Sequence, residues 1–128
     1  MKVMEDKYAI CKLKPGSRIP ALLLDQSFVS ITRTEDEISI VCKEDIFNDV
    51  MDDMGKAEVF PNWSGLMVQG PLAFSLTGIL ATITKILAEV EVSVFAISTF
   101  DTDYFLISNE VLEVAITALQ KNGIIIQA

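Results

Sequence analysis

The chain has 128 residues, of which 51% are hydrophobic and 22% charged, so it can bury a sizeable core and is not expected to be disordered. Ten Lys and Arg residues against 18 Asp and Glu residues give a formal net charge of −8. Nucleic acids and anionic membranes both require clustered cations, so neither is an expected partner. A small zwitterion held by a few local groups is compatible with this charge.

Cys11 and Cys42 lie in apolar, strand-like runs, and we interpret both as small buried core residues rather than as a disulfide framework. The sequence has no histidine and no Cys-x-x-Cys pair, so we expect no metal site and no cofactor. Glu5 and Asp6 stand where a signal peptide needs an apolar stretch, which predicts a cytoplasmic protein. Residues 59–84 carry no charge, but their Pro, Gly and Asn residues favour strand, loop and helix over a membrane span.

The sequence of the first half predicts secondary-structure elements in the order strand, short helix, strand, strand, helix, strand. Residues 8–13 form a strand candidate, and "ALLLDQ" favours a single short helical turn after a turn-rich stretch. Residues 27–34 and 37–42 are β-rich runs separated by acidic residues, which predicts a hairpin. Asp45 is predicted to cap a helix that stops near Gly55, and "AEVF" is predicted to be a short strand.

The second half predicts the order β, α, β, β, α, β. Residues 65–70 start a strand, and apolar residues at helical spacing predict a long helix over about residues 75–90. A hairpin with a polar tip is predicted over residues 96–108. Asn109 is predicted to cap a last helix that Gly123 ends, and "IIIQA" closes the chain as a strand.

The two halves repeat one another. When "ITRTEDEISIVCKEDI" (31–46) is aligned with "ISTFDTDYFLISNEVL" (97–112), strand, acidic tip, strand and helix start coincide. We therefore expect an α+β fold of two ferredoxin-like βαββαβ modules packed together. The boundaries are residues 1–60, with a degenerate, short first helix, and residues 61–128.

Residues 66–108 read "LMVQGPLAFSLTGILATITKILAEVEVSVFAISTFDTDYFLIS". The order of strand, Gly/Pro loop, small-residue helix start, helix and a strand ending in "IST" resembles an ACT domain, a small regulatory module that binds amino acids. It is most similar to the ACT pairs of aspartokinase regulatory regions and to stand-alone tandem ACT proteins. The resemblance covers residues 60–128 well and residues 8–60 more weakly, through the repeat. No kinase or dehydrogenase domain accompanies these modules in the 128 residues.

We expect a ligand site where the start of the long helix faces the hairpin tip. A first helical turn supplies unpaired backbone N–H groups that suit a carboxylate. Hydroxyls and a carboxylate at the tip suit an ammonium group, and the resemblance implies a ligand at this hairpin. The predicted ligand-binding residues are Ser75, Leu76, Thr77, Gly78, Ile79, Ser98, Thr99, Phe100 and Asp103.

Several of these residues also have a structural interpretation. Gly78 would allow tight packing of the helix on the sheet as well as close approach of a ligand. Asp101 and Asp103 would serve equally as solvated turn residues, and Trp63 is interpreted as a hydrophobic lid over the core edge. The first half lacks the long helix start, so no equivalent second site is expected there. The first-half residues that match the tip are Thr32, Arg33, Thr34 and Glu37.

Without histidine the chain lacks the commonest general base near neutral pH, and no nucleophile-elbow, phosphate-loop or dinucleotide motif occurs. We therefore expect no enzymatic activity. The predicted function is an amino-acid-binding regulatory protein that couples a free amino acid or similar small zwitterion to self-association or partner binding. The resemblance implies a homodimer. The alternative is a ligand-free interaction or dimerisation scaffold.

Overall fold

The computed structural model describes residues 1–69 and 78–127. Its strands are β1 (Lys2–Leu13), β2 (Val29–Arg33), β3 (Ile38–Lys43), β4 (Glu58–Met67), β5 (Phe95–Ser98) and β6 (Asp103–Ser108). Its α-helices are α1 (Ala21–Leu24), α2 (Glu44–Val50), α3 (Ile79–Glu89) and α4 (Leu112–Lys121), and 3₁₀ turns follow α2 at Met51–Met54 and precede α4 at Asn109–Val111. The strands join in antiparallel hairpins, so the mixed α/β architecture agrees with a ferredoxin-like fold.

The chain divides into two compact units. The N-terminal unit is Asp6–Trp63, and the C-terminal unit combines Met1–Glu5 with Ser64–Ala128. Each unit therefore contains part of β1 and part of β4.

The N-terminal unit has the strand order β2-β3-β1-β4. β1 pairs antiparallel with β3, from Tyr8 opposite Lys43 to Leu13 opposite Ile38. Alternate residues of β1 and β3 face the helices, as the period of a strand requires. Their buried side chains build a core with those of the helices: Ala9, Cys11, Leu13, Leu23, Ile38, Ile40, Cys42, Phe47, Val50 and Met54.

The C-terminal unit has the strand order β1-β4-β6-β5. Beside β1 runs the C-terminal segment: the Val3 backbone N–H donates to the Gln127 carbonyl at 2.7 Å, and the Gln127 N–H donates to the Met1 carbonyl at 2.8 Å. Helices α3 and α4 bury one apolar stripe each, as their helical spacing predicts. The core of this unit is Leu66, Ile83, Ile86, Leu87, Val92, Phe105, Ile107, Ala115, Ala118 and Leu119.

The two hairpin tips are closed by the same hydrogen bonds. The Thr34 N–H donates to the Glu37 carbonyl at 2.9 Å, and the Thr99 N–H donates to the Thr102 carbonyl at 2.8 Å. In return, the backbone N–H groups of Glu37 and Thr102 each donate to the threonine hydroxyl of their own tip at 3.2 Å. The sequence repeat thus has a counterpart in backbone and side-chain bonding at these tips.

Both predicted side-chain caps are wrong. Helix α2 begins at Glu44, directly after β3, so Lys43 occupies the cap position and Asp45 lies inside the first turn. Asn109 begins a 3₁₀ turn, and no side-chain cap bond is formed there. Its Oδ1 instead accepts a hydrogen bond of 2.8 Å from the Ser64 hydroxyl on β4.

Two element boundaries also differ from the prediction. The short strand "AEVF" and the strand from residue 65 are a single strand, β4 (Glu58–Met67), which runs through Pro61 and through Asn62, whose φ is 64°. The described part of the long helix runs from Ile79 to Glu89.

The helices of the described residues are too short to span a membrane.

Candidate functional site

The hairpin of β5 and β6 brings two predicted ligand residues together. Ser98 and Asp103 are directly opposite one another across the strands. The Ser98 hydroxyl donates to Asp103 Oδ1 at 2.6 Å, which fixes the orientation of the carboxylate. Asp103 is half-buried, and within the described residues its carboxylate pairs with no Lys or Arg side chain. One carboxylate oxygen thus accepts a hydrogen bond from Ser98, while no ion pair among the described residues neutralises the charge of the group.

The other predicted residues of the tip have different environments. The Thr99 hydroxyl donates to the Thr102 carbonyl at 3.1 Å, so this side chain helps to close the turn. Phe100 is 82% exposed, and it lines none of the three clefts described below. Asp101 is exposed in the bend of the tip, which agrees with a solvated turn residue.

Sequence reasoning missed Thr102, the residue that attaches the tip to β4. Thr102 is only 8% exposed, and its hydroxyl donates to the Val68 carbonyl. The Val68 N–H donates in turn to the Asp103 carbonyl at 3.0 Å. A threonine among polar tip residues gives no signal of burial, because its partner lies 34 residues away. The tip is therefore fastened beside the point where the chain leaves β4.

The structure describes only two of the five residues predicted at the helix start, Gly78 and Ile79. Ser75, Leu76 and Thr77 lie outside the described residues. Gly78 stands at the N-terminus of α3 with φ 85°, and its carbonyl accepts the Thr82 N–H at 2.8 Å. A Cβ at Gly78 would meet no described atom within 4 Å, so contacts with the described residues do not require glycine there, whereas its left-handed backbone favours glycine. Ile79 packs against the core of the C-terminal unit.

The described residues form clefts away from the hairpin tip. One cleft of about 370 Å³ lies along α4 and the end of α3, lined in part by Val90 and Val114. A second of about 430 Å³ lies beside α1 and α2, and its lining includes Arg18, Asp49 and Asp53. A third, of about 490 Å³, lies where β1 ends and β4 begins. Residues 98–103 line none of these three.

The two cysteines are buried free thiols, as predicted. They lie on the neighbouring strands β1 and β3 and belong to the same core. The hydrogen bond between the two side chains, together with burial, raises the pKa of the Cys11 thiol. Within the described part of the chain, no cluster of three or more His, Cys, Asp or Glu side chains could hold a metal ion.

Comparison with known proteins gives the family. The family model described as the ACT domain matches residues 58–121, a range that contains every predicted ligand residue. A second model, described only as the N-terminal domain of its group, matches residues 6–49. A search of curated proteins finds no match.

Solved structures resemble the chain over nearly its whole length. A crystal structure from Agobacterium tumefaciens is 35% identical, with a TM-score of 0.81, and the match covers 99% of this chain and 92% of that one. The ligand-free regulatory subunit of aspartate kinase from Thermus thermophilus is 13% identical, with a TM-score of 0.67 and coverage of 95% and 97%. A putative C-terminal regulatory domain of aspartate kinase from Porphyromonas gingivalis is 18% identical, with a TM-score of 0.60 and coverage of 93% and 94%. The last two likenesses show a shared fold. Because the ACT family model matches half of the residues of this chain, the chain belongs to the ACT domain family.

Proposed function

We propose that this protein is a regulatory protein of two ACT-type modules that binds a free amino acid at the β5–β6 hairpin. The observation that carries the proposal is the half-buried Asp103 carboxylate, which Ser98 orients at 2.6 Å and which no described cation neutralises. A carboxylate in this state favours a positively charged partner, and the ammonium group of an amino acid is one. The predicted partner for the ligand carboxylate is the backbone of residues 75–79, which the sequence pattern places at the beginning of the long helix.

The proposed output is a change in self-association or partner binding rather than catalysis. A ligand changes an equilibrium between assembly states only when it binds one of them more tightly. A homodimer is the expected assembly. The structural neighbours include regulatory subunits and domains of aspartate kinase, which supports a regulatory role without identifying the target of this chain.

A melting-temperature panel with the twenty amino acids tests this proposal without assuming which of them binds. At about 100 times its dissociation constant, a ligand stabilises the native state by about 2.7 kcal/mol. We expect one or a few amino acids to raise the melting temperature. Asp103→Asn should abolish that response, whereas Asp101→Asn, a change of the same charge in the same tip, should retain it. A flat response to all twenty would contradict the proposal.

A ligand-free scaffold is the second candidate, and one observation favours it. The hydroxyls of Ser98, Thr99 and Thr102 all donate to groups of the protein itself, so the tip spends much of its polar capacity internally. In that case no amino acid stabilises the protein. Light scattering would still detect the dimer, in the wild type and in Asp103→Asn alike.

A further inference from the structure

A cleft of about 490 Å³ in the N-terminal unit concentrates positive charge. Its lining residues, which we call the lysine cleft, are Lys12, Leu13, Lys14, Gly55, Lys56, Ala57 and Glu58. Three of the ten cationic side chains of the protein thus line one cleft, although the formal net charge is −8. The cleft carries three positive charges against the single negative charge of Glu58. The net charge of the lining residues is therefore opposite in sign to that of the whole chain.

The three lysines are not consumed by internal ion pairs. Lys12 approaches Glu58 at 4.0 Å, and both side chains are largely exposed, so the attraction is weak. Within the described residues, Lys14 and Lys56 have no carboxylate partner. Both also lie beside turns: Lys14 follows β1, and Lys56 follows Gly55, whose φ of 70° reverses the chain before β4.

The floor of the cleft is firm. Leu13 is fully buried in the core of the N-terminal unit, and Ala57 packs against the same core. The volume lies within the range of about 300–1,000 Å³ that small-molecule sites occupy. The lysine cleft is therefore lined both by residues of the packed core and by cationic side chains.

We propose that the lysine cleft binds a small anion of the phosphate class, such as a diphosphate or a phosphate ester. An ammonium group is a compact point charge that suits a phosphate oxygen, and three lysines lining one cleft suit an anion that carries several negative charges on neighbouring oxygens. The net charge of −8 disfavours a polymeric anion, because a long polyanion would meet repulsion beyond the cleft. The site is separate from the β5–β6 hairpin and does not depend on an amino acid binding there.

Calorimetric titration with pyrophosphate at 50 mM NaCl tests the proposal. Lys14→Gln and Lys56→Gln should each weaken binding by about tenfold or more, because each removes a charge-assisted hydrogen bond. Glu58→Gln should strengthen binding, since it removes the one negative charge of the cleft. The matched control is Lys85→Gln, which changes an exposed lysine on α3 and should leave the affinity unchanged.

Backbone amide shifts in the wild type locate the same site without a variant. Pyrophosphate should move the resonances of Gly55 and Ala57 and leave those of Gly123 in place. Asp103→Asn should bind pyrophosphate as the wild type does, so failure at the hairpin and failure at the cleft are distinguishable. Absence of binding up to 10 mM would overturn the proposal, as would equal loss in the Lys14, Lys56 and Lys85 variants. A parallel titration with citrate compares a carboxylate anion with pyrophosphate. If citrate bound as tightly as pyrophosphate, the preference for phosphate would be overturned.

Discussion

Replacing Thr102 with valine tests whether the candidate hairpin is held to β4 by one buried hydroxyl. Valine has nearly the same shape, so packing at a position only 8% exposed is largely kept. The change removes the donor to the Val68 carbonyl, while the Val68 N–H keeps its bond of 3.0 Å to the Asp103 carbonyl. The expected effect is therefore the loss of one hydrogen bond.

The magnitude follows from the burial of the orphaned acceptor. A buried polar group left without its partner costs about 1–3 kcal/mol. Val68 is half-buried, and water can partly replace the lost donor, so we expect a decrease of about 1–2 kcal/mol in the free energy of unfolding. With a urea m-value of about 2 kcal/mol per molar, the midpoint should fall by about 0.5–1 M.

Urea unfolding followed by circular dichroism measures this shift. Thr117→Val is the control, because it makes the same substitution at an exposed threonine on α4 and should change the stability by no more than about 0.5 kcal/mol. Hydrogen exchange of the Val68 amide should accelerate in Thr102→Val alone. Equal midpoints for the two variants, with unchanged exchange at Val68, would refute the reasoning.

Three further predictions concern stability. Ser64→Ala and Asn109→Ala should each lower the free energy of unfolding by about 1 kcal/mol, because each removes the same 2.8 Å hydrogen bond. The double variant should therefore lose about 1 kcal/mol less than the sum of the two single losses. Additive losses in urea unfolding would contradict this. The hydrogen bond to Cys42 and burial raise the pKa of the Cys11 thiol, so the folded state keeps a proton that the unfolded state releases. The free energy of unfolding should therefore fall as pH rises above about 9, by at most about 1.4 kcal/mol per pH unit. The double variant Cys11→Ala/Cys42→Ala, which removes both buried thiols, should flatten this slope, and an unchanged slope would count against the assignment. Gly78→Ala should lower the free energy of unfolding by about 1–2 kcal/mol, because a φ of 85° is unfavourable for alanine. Gly78→Asn should lower it by less, since asparagine adopts the left-handed region more readily. Equal losses would show that the backbone conformation is not the cause.

The hairpins were predictable because their signals are local. Apolar residues alternate on both sides of a short polar tip, and the turn is closed within four residues, as at Thr34 and Thr99. The stripes of α3 and α4 were predictable for the same reason. Their period is visible in the sequence, and it decides which face is buried.

The failures concern features that depend on distant residues. Asp45 has a good capping side chain, but β3 continues to Lys43 and leaves no cap position for it. The sequence predicts two strands, over residues 57–60 and from residue 65, yet a single strand runs through Asn62, because asparagine tolerates a positive φ. Thr102 and Asn109 form their hydrogen bonds with β4 and the residues that follow it, and nothing within a few positions of either residue indicates that partner.

The path of β1 matters for anyone who dissects this protein into fragments. Met1–Glu5 belong to the C-terminal unit, so a fragment that starts at residue 61 would lack the neighbour of β4 and would present a bare strand edge prone to aggregation. The Met1 ammonium group donates to the Ile125 carbonyl at 2.7 Å, so the two ends of the chain lie close together. A circularly permuted chain in which a short linker joins Gln127 to Met1 would therefore keep residues 1–5 beside β4.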